Sequence, residues 1–355
     1  KTADFEYDLP PQLIAQHPAA ERDASRLMVL DRGAGRLHHV HFRDLPQFLR
    51  PGDLLVANDT RVLPARLFAR VQREAGEDRE VEVLLLREEP SVPPERIWSA
   101  LARPARALSV GAPLTFLDPS WHAHVHGVGE RGVRRIAFQP AAPEAEAPAF
   151  EAWLSRVGHI PLPPYIERPD APEDRERYQT VFARETGSVA APTAGLHFTD
   201  ATLKGARSRG ALLSTVTLHV GPGTFRPVST ENPDEHVLDP EPYRVPAETA
   251  AAIRSAKQTG GRVIAVGTTS VRTLEAWARD GMPDDGAWRE TNLFVRPPFE
   301  FRVVDAMITN FHLPRSSLLF LVSAFAGRER VLEAYATAVR EGYRFYSYGD
   351  AMLIV

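Results

Sequence analysis

The central part of the chain alternates between apolar and polar positions in short runs. Between Leu63 and Gln139 five runs stand out: EVEVLLL (80–86), RIWSALA (96–102), PLTFL (113–117), WHAHVHGV (121–128) and VRRIAF (133–138). Alternation with a period of two is typical of β-strands, and the Gly-, Pro- and charge-rich segments between the runs are typical of turns. Five or six strands at this spacing predict a small antiparallel β-barrel or sandwich.

The pattern changes after residue 150, where continuous apolar runs alternate with helical periodicity. The runs at 211–220 and 262–267 predict buried strands, those at 246–260, 268–280, 316–327 and 330–342 predict helices, and 346–355 predicts a final strand. Such alternation predicts an α/β domain with a mostly parallel sheet and flanking helices. We therefore expect residues 1–62 and 150–355 to form this domain, interrupted by an inserted β-barrel domain at 63–149 that ends in a Pro/Ala/Glu-rich linker at 140–149.

Composition narrows the classes of function. The 355 residues are 43% hydrophobic and 25% charged, which is typical of a globular protein. The chain has no cysteine, which excludes disulfides, thiolate nucleophiles and Cys-ligated metals. The net charge of −4 gives no overall basic field for nucleic acid. Without a signal-like amino terminus or a run of the roughly 20 apolar residues that a membrane helix needs, we expect a cytoplasmic protein, by default a monomer.

Two predicted strands end in glycine-rich loops, TLHVGPGTF and AVGTTSVR. The carboxyl ends of strands bind ligands in open α/β sheets, and free N–H groups at a helix start favour an anion. Simple tight turns with hydroxyl caps are the alternative, and neither loop matches a nucleotide-binding fingerprint. The candidate ligand-binding residues are Gly221, Gly223 and Thr224 in the first loop and Gly267, Thr268, Thr269 and Ser270 in the second.

Three of the 12 histidines lie at the ends of apolar segments beside Gly or Pro: His197, His219 and His312. Any one of them could be a core histidine with satisfied hydrogen bonds, but three such placements favour a site. A second group, His122, His124 and His126, would share one face of a strand and could hold a metal ion. Solvent-facing histidines are the simpler interpretation of that group, because no carboxylate lies near it in the sequence.

Aromatic and arginine side chains interleave in PLPPYIERPD (161–170) and RYQTVFARETGS (177–188). Aromatic faces combined with cations suit unstacked bases and their phosphates. A charge-rich solvated loop is the alternative. The spacing by itself therefore predicts an RNA contact only weakly.

Long strings of the sequence resemble one known family. They are EYDLPPQLIAQHP (6–18), DASRLMVLDR (23–32), GDLLVANDTRVLPARL (52–67), PLPPYI (161–166), YQTVFA (178–183), GSVAAPTAGLHFT (187–199), VTLHVGPGTFRPV (216–228), AVGTTSVRTLE (265–275), ITNFHLPRSSLLFLVSAFAG (308–327) and YRFYSYGDAMLI (343–354). Together they closely resemble the S-adenosylmethionine:tRNA ribosyltransferase-isomerases of queuosine biosynthesis. The resemblance runs almost end to end and is weakest at 68–150.

This resemblance implies transfer and isomerisation of the ribosyl part of S-adenosylmethionine onto 7-aminomethyl-7-deazaguanine at the tRNA wobble position. The products would be epoxyqueuosine-tRNA, adenine and methionine. S-adenosylmethionine would be a co-substrate, the partner would be the anticodon arm of tRNA, and no prosthetic group or metal would be required. The resemblance also implies an α/β domain with an inserted β-barrel.

One motif departs from the family pattern. The family usually has His-x-Met-His-x-Glu where this chain has HVLDPE (236–241). His236 and Glu241 are kept, whereas Leu238 and Asp239 replace the Met and the second His. Asp239 could substitute as an acceptor or base. The altered motif also leaves open a non-catalytic RNA-binding factor, just as the His122 group leaves open a metal-dependent hydrolase.

The implied chemistry needs a proton acceptor, because the sulfonium makes the neighbouring C5′ hydrogens acidic. A near-neutral imidazole suits that role. We hypothesise that His197 or His219 is the base, since both end apolar segments beside Gly, with Thr193 and Asp59 as further catalytic candidates. The two glycine-rich loops, Gly221–Thr224 and Gly267–Ser270, are expected to hold the methionine end and ribose of S-adenosylmethionine. The candidates for tRNA contacts are Arg61, Arg66, Arg168, Tyr178, Gln179, His312 and Arg315.

Overall fold

The computed structural model describes residues 1–71, 78–143, 146–221, 223 and 227–355, with the backbone alone at residue 131. The strands in these ranges are β1 (Arg26–Asp31), β2 (Arg36–His41), β3 (Leu54–Asn58), β4 (Thr60–Val62), β5 (Arg66–Val71), β6 (Arg79–Glu89), β7 (Arg96–Arg103), β8 (Pro113–Leu114), β9 (Trp121–Val128), β10 (Arg134–Pro140), β11 (Glu185–Ser188), β12 (Leu212–Leu218), β13 (Glu241–Arg244), β14 (Val263–Val266), β15 (Arg289–Thr291), β16 (Ala306–Asn310) and β17 (Ala351–Ile354). The α-helices are α1 (Phe150–Val157), α2 (Asp174–Arg177), α3 (Asp200–Ser208), α4 (Ala247–Gln258), α5 (Thr268–Arg279), α6 (Ser317–Ala326) and α7 (Arg328–Arg340). None of the helices in these ranges is long and apolar enough to cross a membrane.

The larger sheet is mixed, so the prediction of a mostly parallel sheet was wrong in this respect. Its nine strands lie in the order β15-β13-β12-β3-β14-β16-β17-β1-β2. Four of the eight neighbouring pairings are parallel, and three of these join β12, β3, β14 and β16 into a continuous block. The predicted strand–helix alternation is therefore present at the centre of the sheet and not at its edges.

The reversal after β16 has a simple cause in the helices that follow it. Two helices, α6 and α7, lie between β16 and β17 instead of one. Each helix reverses the chain, so β17 starts at the edge where β16 ends and runs antiparallel to it. β2 adds a hairpin to β1, and β13 and β15 add short antiparallel strands at the other side. A single helix between strands would have kept the pairing parallel.

Both faces of the large sheet are buried, as the continuous apolar runs predict. In β3, Leu54 and Val56 point to the face covered by α4 to α7. Leu55 and Ala57 point to the opposite face, which is covered by α3 and the 3-10 segment Phe42–Phe48. Successive side chains of each strand thus contribute alternately to two separate apolar layers, one on each face of the sheet.

The smaller sheet is an antiparallel, nearly closed barrel, which confirms the predicted β-barrel in outline. Its order is β5-β6-β7-β10-β9-β8, and backbone hydrogen bonds of 2.9 and 3.0 Å between Arg70 and Thr115 join its two ends. Phe150, Trp153 and Leu154 of α1 belong to the apolar core of this barrel. The segment that follows the predicted linker at 140–149 therefore packs against the barrel before the chain returns to the large sheet.

The parallel block presents four carboxyl ends at one edge of the large sheet. β12 leads into His219, β3 into Asp59, β14 into Gly267 and β16 into Phe311. The short strands β4 and β11 pair in parallel next to this edge, where the chain enters and leaves the barrel. Candidate residues that lie far apart in the sequence are thereby collected at the edge where α/β sheets bind ligands.

Candidate active site

A cleft of about 970 Å³ lies between the barrel and the β12 side of the large sheet. The barrel side of its wall includes Arg87, Glu88, Arg96, Trp98, Glu130 and, from α1, Phe150 and Glu151. The sheet side includes Thr186, Gly187, His219, Val220, Gly221, Gly223, Asp239 and Glu241. The first glycine-rich loop, one candidate histidine and the HVLDPE motif thus meet at one cavity.

His219 is held in this wall by three contacts. Its Nδ1 lies 2.8 Å from the hydroxyl of Thr60, and that hydroxyl donates to the backbone oxygen of Glu185 at 3.4 Å. These two contacts fit the tautomer in which the hydroxyl accepts from Nδ1–H and Nε2 is unprotonated. The imidazole stacks on the indole of Trp288 at 5.1 Å, and Nε2 lies against Gly187. This arrangement gives a fixed, neutral imidazole with one lone pair at the wall of the cleft.

The electrostatics of His219 keep the imidazole neutral at pH 7. Burial lowers its pKa below the ordinary 6.5, whereas the carboxylates of Glu185 and Asp59 raise the pKa and partly offset burial. A neutral imidazole is the form that can accept a proton. The two nearby negative charges would then stabilise the imidazolium formed by proton transfer.

The NDT segment, Asn58 to Thr60, fixes the position of β12 relative to β3. The Asn58 amide donates to Leu218 O at 2.9 Å, and its oxygen accepts from Leu218 N at 3.2 Å. Asp59 is 2% exposed and accepts from Thr217 Oγ1 at 2.7 Å and from Arg184 at 3.0 Å. The structure thus encloses the Asp59 carboxylate and engages it in positioning β12, and its catalytic role stays a prediction.

The glycine-rich loop after β12 is held by an ion pair that the sequence did not indicate. Glu241 and Arg272 pair in the interior, at 5% and 3% side-chain exposure. Glu241 Oε1 also accepts from Gly221 N at 2.8 Å. A side chain added at Gly223 would come within 3.0 Å of Asp239 Oδ2, so the loop lies close to the altered motif. Thr224, the third candidate of this loop, lies outside the described residues.

His197 belongs to a different, closed environment. Its Nδ1 lies 2.7 Å from Ser25 Oγ and its Nε2 lies 3.1 Å from the Asn310 amide. Thr193 donates to the oxygen of that amide at 2.9 Å. The ring is 4% exposed, and burial lowers its pKa to about 3. His197 and Thr193 therefore belong to a buried hydrogen-bond cluster away from the large cleft, and their catalytic role stays a prediction.

The second glycine-rich loop starts α5 beside a small cavity of about 30 Å³. Gly267 has φ of 91°, a conformation that favours glycine. Thr268 and Thr269 line the cavity together with His312, whereas the buried Ser270 hydroxyl donates to Val266 O at 2.8 Å. His312 Nε2 lies 2.7 Å from Thr309 Oγ1, and burial lowers the His312 pKa to about 3. His312 is thus enclosed, which corrects its prediction as a tRNA contact.

Three further residues predicted to contact tRNA are engaged inside the protein. Arg168 forms two hydrogen bonds, of 2.7 and 2.9 Å, with Asp174. Tyr178 is fully buried, and the Gln179 side chain bonds both backbone groups of Val62 at 3.0 and 2.8 Å. These side chains hold the 161–188 segment to the fold, so the prediction that they face RNA is corrected.

The remaining arginine candidates differ in accessibility. Arg66 pairs with Glu82 at 3.1 Å and donates to Leu162 O at 2.9 Å. Arg315 is half exposed and pairs with Glu6. Arg61 is exposed on β4, with no ion pair in the part of the chain that the structure describes. Arg61 is thus the most available cation among those predicted.

The His122 group does not assemble a metal site. His122 and His126 are exposed on the outer face of β9, and the His124 and His126 rings lie 6.3 Å apart. Across the described ranges, no three His, Cys, Asp or Glu side chains are placed to hold a metal ion. The metal-dependent hydrolase therefore finds no support in these residues.

Comparison with known proteins gives consistent results. A family model described as "Queuosine biosynthesis protein" matches residues 2–354. The S-adenosylmethionine:tRNA ribosyltransferase-isomerase of Moorella thermoacetica is 53% identical over 355 residues, covering 99% of each chain. That of Thermus thermophilus is 52% identical over 359 residues, covering 99% of this chain and 98% of the relative.

A solved structure agrees with these relatives. The crystal structure of S-adenosylmethionine tRNA ribosyltransferase from Thermotoga maritima matches with a TM-score of 0.53 at 39% identity, covering 99% of this chain and 100% of the other. The comparisons support neither the hydrolase nor the non-catalytic RNA-binding factor. Similarity over the whole length, together with the glycine-rich loop and histidine at the cleft, shows that the chain belongs to the S-adenosylmethionine:tRNA ribosyltransferase-isomerase family.

Proposed function

We propose that the protein transfers and isomerises the ribosyl moiety of S-adenosylmethionine onto 7-aminomethyl-7-deazaguanine at the tRNA wobble position. The products are epoxyqueuosine-tRNA, adenine and methionine, and the reaction takes place in the cleft between barrel and sheet. The observation that carries this site is His219, whose Nδ1 is held by Thr60 and whose Nε2 lies at the wall of the cleft. The tRNA substrate implies a cytoplasmic enzyme, and we expect it to act as a monomer.

The charge of the cleft wall suits a cationic co-substrate. It carries five carboxylates, Glu88, Glu130, Glu151, Asp239 and Glu241, against three guanidinium groups, Arg87 and Arg96 in the wall and Arg272, which pairs with Glu241. This acidic surplus favours the positive sulfonium group of S-adenosylmethionine. Trp98 and Phe150 also border the cleft, but at 6% and 2% exposure they belong to the apolar core of the barrel and offer a purine little surface. Gly221 and Gly223 border the same space without side chains, so their backbone can approach a ligand closely.

His219 supplies the proton acceptor in this proposal. The sulfonium acidifies the C5′ hydrogens, and the base needs to come within about 2.6–3.2 Å of the hydrogen-bearing atom. Nε2 of His219 holds the free lone pair for that transfer, and Thr60 keeps the imidazole in the required tautomer. Glu185 and Asp59 then stabilise the positive charge that arises on the ring. Arg61, exposed on β4 opposite Thr186 at the cleft wall, is proposed to contact a tRNA phosphate.

The decisive experiment follows free adenine after mixing the protein with S-adenosylmethionine and precursor-bearing tRNA. We expect His219→Gln to slow adenine release by about 10²–10⁴-fold, the usual contribution of a general base. His197→Gln is the matched control, because it changes the enclosed histidine at the same edge, and its turnover per folded molecule should stay near wild type. Near-normal release by His219→Gln would refute the assignment of this base.

A further inference from the structure

The start of α5 has the electrostatics of a small-anion site. The helix runs for 12 residues from Thr268 to Arg279. The N–H groups of its first turn have no acceptor within the helix, and their dipoles sum to a partial positive charge. The Gly267 N–H is occupied, because it donates to Ile308 O at 2.8 Å. The N–H groups of the next residues point from the helix start and require an acceptor from elsewhere.

A second observation at the same place points to a ligand. Thr269 is 7% exposed, and its hydroxyl has no hydrogen-bond partner among the described residues. Thr269 lines the small cavity of about 30 Å³ with Thr193, Thr268, Asn310 and His312. A buried hydroxyl without a partner costs free energy unless a ligand or water pairs with it. The cavity therefore offers an unused side-chain donor beside the helix start.

The wall of this cavity carries no charged side chain in the described structure. Its residues are apolar or neutral, and burial keeps His312 uncharged at pH 7. A positive helix end facing neutral donors favours one negative charge and does not favour a cation. The large cleft, by contrast, carries more carboxylates than guanidinium groups and therefore favours a cation.

We propose that the cavity at the start of α5 binds the α-carboxylate of the amino-acid half of S-adenosylmethionine, with the Thr269 hydroxyl as a donor. This inference rests on the proposed function, since it takes the co-substrate as given. The co-substrate carries cations at its sulfonium and α-ammonium groups and an anion at its carboxylate. The acidic cleft matches the sulfonium, and the helix start matches the carboxylate.

The distance between the two sites fits such a molecule. β12 and β14 flank β3, which places them about 10 Å apart at the usual strand spacing. The carboxylate lies roughly 5 Å from the sulfonium at covalent bond lengths of about 1.5 Å, and the base reaches about 3 Å further. Val220, which follows His219, lines both the cleft and the small cavity. A single co-substrate can therefore lie across the edge of the sheet from His219 to Thr269.

The experiment compares S-adenosylmethionine with decarboxylated S-adenosylmethionine, which lacks only the carboxylate. Calorimetry on the full chain without tRNA measures both dissociation constants in wild type and in Thr269→Val. We expect Thr269→Val to weaken S-adenosylmethionine by about tenfold, the loss expected for a hydrogen bond to a charged group, and to leave the decarboxylated ligand unchanged. Thr273→Val is the matched control one turn later, where the hydroxyl bonds Thr269 O, and it should change neither ligand.

Failure of the carboxylate assignment and failure of the proposed function give different results. Equal weakening of both ligands, or of neither, would overturn the carboxylate assignment. Adenine release by the wild-type protein tests the reaction independently. If no adenine is released, the proposed function is contradicted instead. If Thr269→Val does not fold, Thr269→Ala tests the same donor, and Thr269→Ser should keep the affinity within about twofold.

Discussion

His197 and His219 lie in loops at the same edge of the large sheet, yet their surroundings use the imidazole in opposite ways. His197 is enclosed, with Ser25 on one nitrogen and Asn310 on the other. His219 borders the cleft, with Thr60 on one nitrogen only. Both nitrogens of the His197 ring are used to hold chain segments together, whereas the His219 ring has one nitrogen available as a proton acceptor. The number of occupied ring nitrogens, more than burial as such, distinguishes His197 from His219, the histidine that we propose as the base.

The largest effect on stability is expected at the enclosed histidine. His197→Ala removes a buried ring and leaves the Ser25 and Asn310 groups unpaired, so the free energy of unfolding should fall by about 2–4 kcal/mol. Urea denaturation measures this loss, and adenine release per folded molecule should remain near wild type. Lost turnover with unchanged stability would reverse the roles of the two histidines.

A methyl group placed beside the open histidine should impair activity instead. In Gly187→Ala the added carbon would lie 2.8 Å from Nε2 of His219, at a backbone φ of 152°. The imidazole must shift, and misplacement by about 1 Å can cost roughly 10²-fold in rate, so we expect a decrease in kcat of about 10- to 100-fold. Gly342→Ala is the control, because that glycine also has a positive φ but meets nothing within 4 Å. An equal decrease in kcat in both variants would show that the effect comes from backbone strain and not from displacement of His219.

The pH dependence should follow the open histidine. Activity needs neutral His219, so it is fully present above the His219 pKa and is lost as pH falls through that pKa. Glu185 raises this pKa against the larger effect of burial, so Glu185→Gln should move the acidic limb of kcat/KM to lower pH. Adenine release measured across about pH 5 to 8 tests the direction. A limb that stays in place or moves upward would mean that another group titrates.

The smallest effect is expected at the exposed cation next to the cleft. Arg61→Ala should reduce the slope of tRNA affinity against salt concentration by about one unit, because one phosphate contact is lost. Arg36→Ala is a matched control on β2, the strand at the opposite side of the sheet. Binding measured at several salt concentrations distinguishes the two variants. Parallel slopes for wild type and Arg61→Ala would remove Arg61 from the RNA surface.

The local pattern of apolar and polar residues was sufficient to predict the type and bounds of the elements with strong periodicity. β9 has the bounds of the run at 121–128, and α5 follows the run at 268–280 to within one residue. The pairing direction of β17 was missed, because it depends on the helix pair α6–α7 and not on the strand itself. Short strands near one edge of the sheet, such as β13 and β15, have too few residues to show a pattern.

The site was predictable as a set of loops but not as a set of contacts. Gly221, His219 and Glu241 were visible in motifs, and the structure brings them to one cleft. The difference between His197 and His219 was not visible, because their partners lie between 113 and 172 residues away along the chain. Gln179 was expected at the surface for the same reason, since its partner Val62 is 117 residues distant.

The parallel pairing of β4 with β11 explains how the large sheet accommodates an entire barrel. The outgoing and returning segments lie side by side, with Glu185 opposite Thr60, so the insertion starts and finishes at nearly the same point in space. An insertion whose two ends lie side by side leaves the geometry of the large sheet unchanged, whatever the length or sequence of the insertion. Barrel residues away from the cleft can therefore change during evolution while the strand ends at the edge of the large sheet keep their register.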